Sequence, residues 1–118
     1  MSSEPITVYH NPSCSKSRKT VEILTRKDVP FTLYEYLEER PAVDEIRRVM
    51  VALGIEDPRE MMRTREDAYA ANDLAGADAD QLLTAMAEHP KLIERPIVIR
   101  GDRAIIARPP ELVEELLR

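Results

Sequence analysis

Hydrophobic and polar positions follow two different periods in the first third of the 118-residue chain. Residues 6–9 are β-branched or aromatic, and residues 31–36 alternate apolar with polar side chains, so both segments are predicted strands. Between them, turn-forming residues at 11–13 precede a segment, 14–26, with apolar positions at helical spacing among charged ones. This order predicts one βαβ unit with parallel strands.

The middle of the chain has the apolar spacing of helices rather than strands. The predicted helices cover residues 44–53, 58–63 and 78–89. Gly54 and Pro90 supply stop signals, and Asp57 is the expected cap of the short central helix. Residues 69–74 have no clear assignment. We therefore expect a helical block here.

The last section returns to strand-like patterns. Residues 96–99 and 103–107 are predicted strands, and Gly101-Asp102 between them predicts a hairpin. A helix over 111–117 closes the chain. With a cysteine at the first strand-to-helix turn, this order predicts an α/β, thioredoxin-like fold. Its sheet would be mixed and four-stranded, with helices on both faces and a helical insertion between strands 2 and 3.

Composition places the chain among ordinary globular proteins. Its length suits one domain, assigned to residues 1–118 with the helical insertion at about 42–93. A net charge of -5 argues against nucleic-acid binding, and no apolar run approaches the ~20 residues of a membrane span. The N-terminus lacks a signal-peptide pattern, and a single cysteine suits a reducing compartment. We expect a cytoplasmic protein with neither nucleic-acid nor membrane partners.

The one cysteine, Cys14, stands at the start of the first predicted helix. Unpaired backbone N–H groups and the helix dipole favour a thiolate there. Lys16 and Arg18 add positive charge, and the hydroxyls of Ser15 and Ser17 can donate hydrogen bonds to the sulfur. The same turn would bind a tetrahedral oxyanion. The segment predicts a nucleophilic Cys14 with a lowered pKa.

Several residues near Cys14 have a second interpretation. The alternative for Cys14 is a small buried apolar residue, which its polar and basic neighbours argue against. For Lys16 and Lys19 the alternative is a solvated helix face. His10 suits a base or proton donor as well as a structural hydrogen-bonding group. Ser17 stands where a C-x-x-C motif has its second cysteine, so an external thiol must complete any redox cycle.

Three arginines outside the loop occupy suggestive positions: Arg63, Arg95 and Arg108. Guanidinium groups suit oxyanions because they offer permanently charged, bidentate donors. Arg95-Pro96 opens a predicted strand where thioredoxin-like folds place a cis-proline facing the active cysteine. Four other arginines are expected to lie on the surface, outside the site, and to serve as controls for these three: Arg59, Arg65, Arg100 and Arg103.

Motifs along most of the chain resemble those of the glutaredoxin-coupled arsenate reductase family. The loop motif is His10-Asn11-Pro12-x-Cys14-x-x-Ser17-Arg18. Met62-Arg63, the block 89–98 and Arg108-Pro109 follow in the family's order. The chain resembles the short members, which lack a longer C-terminal extension, and the broader family includes Spx-type regulators.

The resemblance implies a mechanism and a set of site residues. Cys14 would attack arsenate, His10 would tune the thiolate and Ser17 would hydrogen-bond to it. Glutathione, as co-substrate, and glutaredoxin would regenerate the thiol, with no bound cofactor and no metal. The substrate-binding residues would be Arg63, Arg95, Arg108 and Ser15.

Two alternatives remain open at this point. One is a glutathione-dependent thiol/disulfide reductase whose arginines bind glutathione carboxylates. The other is a non-enzymatic Spx-like regulator that binds RNA polymerase. Such regulators usually carry C-x-x-C, so Ser17 argues against a disulfide switch.

Overall fold

Four strands form one mixed sheet in the order β2-β1-β3-β4 in the computed structural model, which describes residues 4–117. They are β1 (Ile6–Tyr9), β2 (Thr32–Tyr34), β3 (Ile97–Arg100) and β4 (Arg103–Ile106). β1 runs parallel to β2 and antiparallel to β3, and β3 and β4 form the predicted hairpin. The predicted α/β fold with a four-stranded mixed sheet is confirmed.

Six α-helices accompany the sheet among the described residues. They are α1 (Ser15–Arg26), α2 (Tyr36–Glu39), α3 (Val43–Leu53), α4 (Asp67–Ala71), α5 (Ala79–Glu88) and α6 (Val113–Leu116). Short 3₁₀ turns lie at Pro58–Met61, Leu74–Gly76, Pro90–Leu92 and Pro110–Leu112. No helix in the described range is long and apolar enough to cross a membrane.

The chain divides into two compact units, residues 4–36 with 95–117 and residues 37–94. In the first unit, α1 buries Ile23 and Leu24 against the sheet residues Val8 and Val98, and Val113 of α6 joins the same cluster. α1 has a single buried face because its apolar positions recur at helical spacing. This packing fixes the N-terminus of α1 beside the end of β1.

In the second unit, α3 and α5 pack together, and both end at the predicted stop signals, Gly54 and Pro90. Gly54 ends α3 in a left-handed conformation (φ 73°), which glycine adopts without a Cβ penalty. Asp78 and Gln81 form a capping box at the start of α5. Asp57 accepts a hydrogen bond from the backbone N–H of Arg59, as its predicted capping role requires.

Three predicted elements differ from the structure by more than one residue. The helix expected over 111–117 is a 3₁₀ turn, Pro110–Leu112, followed by α6 (Val113–Leu116). The second strand stops at Tyr34 instead of continuing to Tyr36, which begins α2. Tyr36 is 1% exposed and stacks on Tyr9 with 5.9 Å between ring centroids, so a tertiary contact overrides the local alternation. The helix predicted over 58–63 is a 3₁₀ turn that ends at Met61, because Met62 is extended and pairs with Ile93.

Candidate active site

Cys14 is the N-cap residue of α1, in an extended conformation (φ -96°, ψ 122°). Its backbone N–H donates to the carbonyl of Asn11 at 2.9 Å, and the N–H of Ser13 donates to Asn11 Oδ1 at 3.0 Å. The Arg18 guanidinium donates to the Pro12 carbonyl at 2.8 Å. The loop between β1 and α1 is thus shaped by its own hydrogen bonds, and it leaves the cysteine partly exposed.

The Cys14 thiol has a pKa below its ordinary value. Burial raises the pKa, but the backbone N–H groups of Ser17 and Lys16 and the guanidinium of Arg95, which hydrogen-bonds to the thiol, outweigh it. These donors all favour the thiolate. The direction and the backbone N–H donors agree with the expectation from the sequence. The guanidinium of Arg95, which is distant in the sequence, takes the place of the serine hydroxyls and neighbouring cations that were also expected to act on the thiol.

The backbone N–H of Ser17 contacts the sulfur, whereas its fully buried hydroxyl hydrogen-bonds to other residues of the loop. Ser17 Oγ lies 2.7 Å from His10 Nδ1 and accepts the backbone N–H of Asn11 at 3.0 Å. Burial lowers the pKa of His10, Glu35 raises it and Arg18 lowers it, with a net lowering. A neutral imidazole at pH 7 follows. In the loop, His10 contacts the Ser17 hydroxyl, which gives it the part of a positioning group.

Arg95 and Arg108 come together from the two ends of the β3–β4 hairpin. Arg108 Nη1 donates to the backbone carbonyl of Arg95 at 3.0 Å. The peptide bonds that follow both arginines, to Pro96 and Pro109, are cis. The first unit thus places the Arg95 side chain at the cysteine and the Arg108 side chain against the Arg95 backbone.

Arg63 lies in the second unit, where its backbone and side chain are both engaged. Its N–H donates to the Leu92 carbonyl at 2.7 Å, and its Nη2 pairs with Glu66 Oε2 at 3.1 Å. Ser15, the remaining predicted substrate-binding residue, is exposed at the first position of α1. Within residues 4–117, no group of His, Cys, Asp and Glu side chains could hold a metal ion.

Comparison with known proteins identifies the family. Residues 9–116 match the family model described as the ArsC family. The chain belongs to the ArsC family. A protein named arsenate reductase from Haemophilus influenzae is 46% identical over 114 residues, which cover 95% of this chain and 98% of that protein. Another so named, from Neisseria meningitidis serogroup A, is 38% identical over 95% of this chain and 97% of its own length.

A solved structure shares both the ArsC-family sequence and the fold. The structure titled arsenate reductase from Vibrio cholerae has a TM-score of 0.92 and 43% identity, covering 97% of this chain and 98% of that one. The fold is therefore thioredoxin-like, as predicted from the order of elements. The resemblance to arsenate reductases stated from the sequence motifs is confirmed as membership of the ArsC family.

The expectation that Arg59 is a surface residue, usable as a control for the arginines of the site, is wrong. Its guanidinium donates to Tyr69 Oη at 2.9 Å and to the carbonyls of Leu74 (2.9 Å), Ala75 (2.9 Å) and Ala77 (3.0 Å). It fastens the 3₁₀ turn to the segment after α4. No local sequence signal could have revealed this, because most partners are backbone carbonyls.

The same expectation is wrong for Arg100. It is half-buried, and its Nη1 donates to the carbonyl of Leu116 at 3.0 Å, tying β3 to α6. Arg103, which is exposed, reaches the same carbonyl at 3.4 Å, and Arg65 is exposed. Arg65 and Arg103 remain suitable controls for the arginines of the site.

Proposed function

We propose that this protein reduces arsenate to arsenite, with Cys14 as the nucleophile. The observation that carries the proposal is the donor set around the thiol, with two backbone N–H groups and Arg95 at the sulfur and Arg108 bonded to Arg95. Donors that favour a thiolate at a helix N-terminus also bind tetrahedral oxyanions. The ArsC-family relatives named arsenate reductase support arsenate as that oxyanion.

The first step forms a bond between sulfur and arsenic. The Cys14 thiolate attacks arsenate, and one arsenate oxygen leaves as water after taking up protons from solvent. Arsenic stays in the +5 state in this adduct. Once the thiolate has attacked, the Arg95 guanidinium pairs with the arsenate oxygens instead of the sulfur. Arg108 and Ser15 are the other residues of this unit that bind the oxyanion. For Arg63, substrate binding stays a prediction from the family motif.

The second step reduces arsenic. A glutathione thiolate attacks the Cys14 sulfur, the S–As bond breaks, and its electron pair leaves with arsenic as arsenite. Cys14 and glutathione are oxidised together to a mixed disulfide, which balances the two electrons gained by arsenic. A glutaredoxin thiol then removes the glutathione and restores Cys14. No bound cofactor is needed, because the thiols supply both electrons.

The need for an external thiol follows from the loop itself. Cys14 is the only cysteine of the chain, and the C-x-x-S position offers a hydroxyl that is buried between His10 and the Asn11 N–H. A serine hydroxyl forms no disulfide. We place the reaction in the cytoplasm, where glutathione keeps thiols reduced, and assign neither nucleic acid nor membrane as a partner.

One alternative uses the same residues differently. Arg95 and Arg108 also suit the carboxylates of glutathione, which would make the protein a thiol/disulfide reductase that needs no arsenate. Alkylation of Cys14 by iodoacetamide separates the two functions. We expect arsenate at millimolar levels or below to slow alkylation, since it occupies the donors at the sulfur. An alkylation rate unchanged by arsenate but slowed by glutathione analogues would favour the alternative and contradict arsenate binding.

A further inference from the structure

Arg63 and Glu66 form an ion pair that is sheltered from solvent in the second unit. Arg63 Nη2 lies 3.1 Å from Glu66 Oε2, and the two side chains are 27% and 25% exposed. In the Arg47–Asp80 ion pair of the same unit, by contrast, the side chains are 46% and 82% exposed. The Glu66 carboxylate therefore has a defined partner, and that partner is the arginine predicted to bind substrate.

The fold itself makes little use of the Glu66 side chain. Glu66 is the N-cap residue of α4, where a side chain commonly accepts a hydrogen bond from the helix, but its carboxylate makes no capping bond within the described range. The backbone closes the turn instead, since the N–H of Glu66 donates to the carbonyl of Arg63 at 3.1 Å. A partly exposed ion pair adds little to stability, because solvent screens its charges. Stability therefore gives little reason for a carboxylate at this position.

The Arg63 backbone is fixed independently of the Glu66 side chain, whereas the Arg63 guanidinium is not. The backbone N–H donates to the carbonyl of Leu92 at 2.7 Å. The guanidinium lies at the end of a flexible stem, and its Nη1 reaches the carbonyl of Lys91 only at 3.5 Å. Of these two side-chain contacts, the one with Glu66 is closer and is charged. Glu66 is thus the main determinant of where the guanidinium lies.

The ion pair leaves donors of Arg63 for an anion. A guanidinium carries several N–H donors in a rigid, planar fork. The contact with Glu66 uses one donor of Nη2, and the contact with Lys91 uses one of Nη1. The donor on Nε and the second donor of each Nη atom lie outside these two contacts. A bidentate contact with an oxyanion needs two parallel donors, so the ion pair orients the remaining donors without using all of them.

We propose that Glu66 is a positioning residue that holds the Arg63 guanidinium in the orientation in which it binds the substrate oxyanion. This inference rests on the proposed function, within which substrate binding by Arg63 is a prediction from the family motif. An unrestrained arginine side chain loses rotamer freedom when it binds a ligand, and this loss weakens binding. With Glu66 in place the side chain is already ordered in the folded chain, so arsenate binds it with less loss of entropy.

The test measures how well arsenate protects Cys14 of the full chain from alkylation by iodoacetamide, which gives an apparent Kd for arsenate without requiring turnover. Glu66→Gln removes the negative charge, which repels arsenate, but keeps an oxygen that can accept the Nη2 donor of Arg63. Glu66→Ala removes both the charge and the acceptor. Because the two variants lose the same charge, the ratio of their Kd values isolates positioning. We expect Glu66→Ala to have a Kd about 2- to 10-fold higher than Glu66→Gln.

Matched controls separate positioning from other effects. Asp67→Ala and Asp67→Asn remove the same charge from an exposed carboxylate at the next position and should have equal Kd values. In a chain that already carries Arg63→Ala, Glu66→Ala and Glu66→Gln should also have equal Kd values, because no guanidinium is left to position. Without arsenate, both Glu66 variants should show the pH profile of Cys14 alkylation of the wild type, since other groups set the pKa of the thiol.

The outcomes distinguish the role of Glu66 from the reaction. Equal Kd values for Glu66→Ala and Glu66→Gln, or an unchanged ratio in the Arg63→Ala background, would overturn the positioning role and leave the proposed function standing. An Arg63→Ala chain that binds arsenate as tightly as the wild type would overturn the role of Arg63 and this inference with it. If arsenate gave no protection to Cys14 of the wild type, the proposed function itself would fail.

Discussion

Replacing Arg95 by alanine removes the one side chain among residues 4–117 that both hydrogen-bonds to the Cys14 thiol and carries a charge favouring its thiolate. The backbone carbonyl of Arg95 remains, so the hydrogen bond from Arg108 at 3.0 Å is retained and the loss is local. A hydrogen bond to a charged group contributes about 1.5–3 kcal/mol. We therefore expect kcat/KM for arsenate to fall roughly 10- to 150-fold.

The alkylation of Cys14 by iodoacetamide as a function of pH measures the thiolate part of this effect separately. Arg95→Ala should move the alkylation profile to higher pH, because the pKa of Cys14 rises when the guanidinium is lost. Well above both pKa values the two proteins should be alkylated at similar rates, whereas the arsenate defect should persist. Arg95→Lys should restore part of the profile through its charge but less of the turnover, since lysine lacks bidentate geometry.

Variants at other arginines define the control. Arg108→Ala should reduce arsenate turnover without an equal shift of the Cys14 alkylation profile, because the contact of Arg108 shown by the structure is with the Arg95 carbonyl. Arg65→Ala and Arg103→Ala should change neither arsenate turnover nor the Cys14 alkylation profile. An unshifted alkylation profile in Arg95→Ala, or losses in the controls as large as its own, would refute the assignment of Arg95 to the thiol.

Three further predictions concern the thiol, the loop and the second unit. Cys14→Ser should abolish arsenate turnover, because no other residue supplies a thiol; retention of a tenth of the rate would exclude Cys14 as the nucleophile. Ser17→Ala should lower the free energy of unfolding in urea by about 1–3 kcal/mol, since it removes the hydroxyl that hydrogen-bonds to His10 Nδ1 and to the Asn11 N–H and leaves both unsatisfied. It should nevertheless shift Cys14 alkylation less than Arg95→Ala, and an equal or larger shift would place the hydroxyl at the sulfur. Arg59→Ala should lower the melting temperature measured by circular dichroism while Arg65→Ala should not, and equal melting temperatures would contradict the role of the Arg59 carbonyl contacts.

Local sequence patterns predicted much of the fold, because the residues within each of these helices and strands are enough to determine its type. β1, α1 and the hairpin follow from side-chain period, turn residues and the position of Cys14 after Ser13. The boundary at Tyr36 could not be predicted, since its stacking on Tyr9 is a contact between distant positions. The alternation of apolar and polar residues over 31–36 indicated a strand along the whole segment and gave no sign that it ends before Tyr36.

The site was predictable in its residue types but less so in its contacts. The sequence indicated a thiolate stabilised by backbone N–H groups at a helix start, but not the contact of Arg95 with the thiol, since Arg95 is 81 positions from Cys14 in the sequence. The Arg59 contacts escaped prediction for a related reason. Backbone carbonyls at distant positions leave no mark in side-chain patterns, so only the folded chain reveals them.

The most direct test of the central claim is arsenite production by the purified protein under defined reductants. With arsenate, glutathione, glutaredoxin and a system that recycles glutathione disulfide, we expect steady arsenite release that Cys14→Ser does not support. Mass spectrometry after a single turnover should find one glutathione on Cys14. Arsenite release no greater than that of Cys14→Ser would contradict the proposed activity. Rapid release with thioredoxin and thioredoxin reductase as the only thiols would contradict the proposed glutathione route.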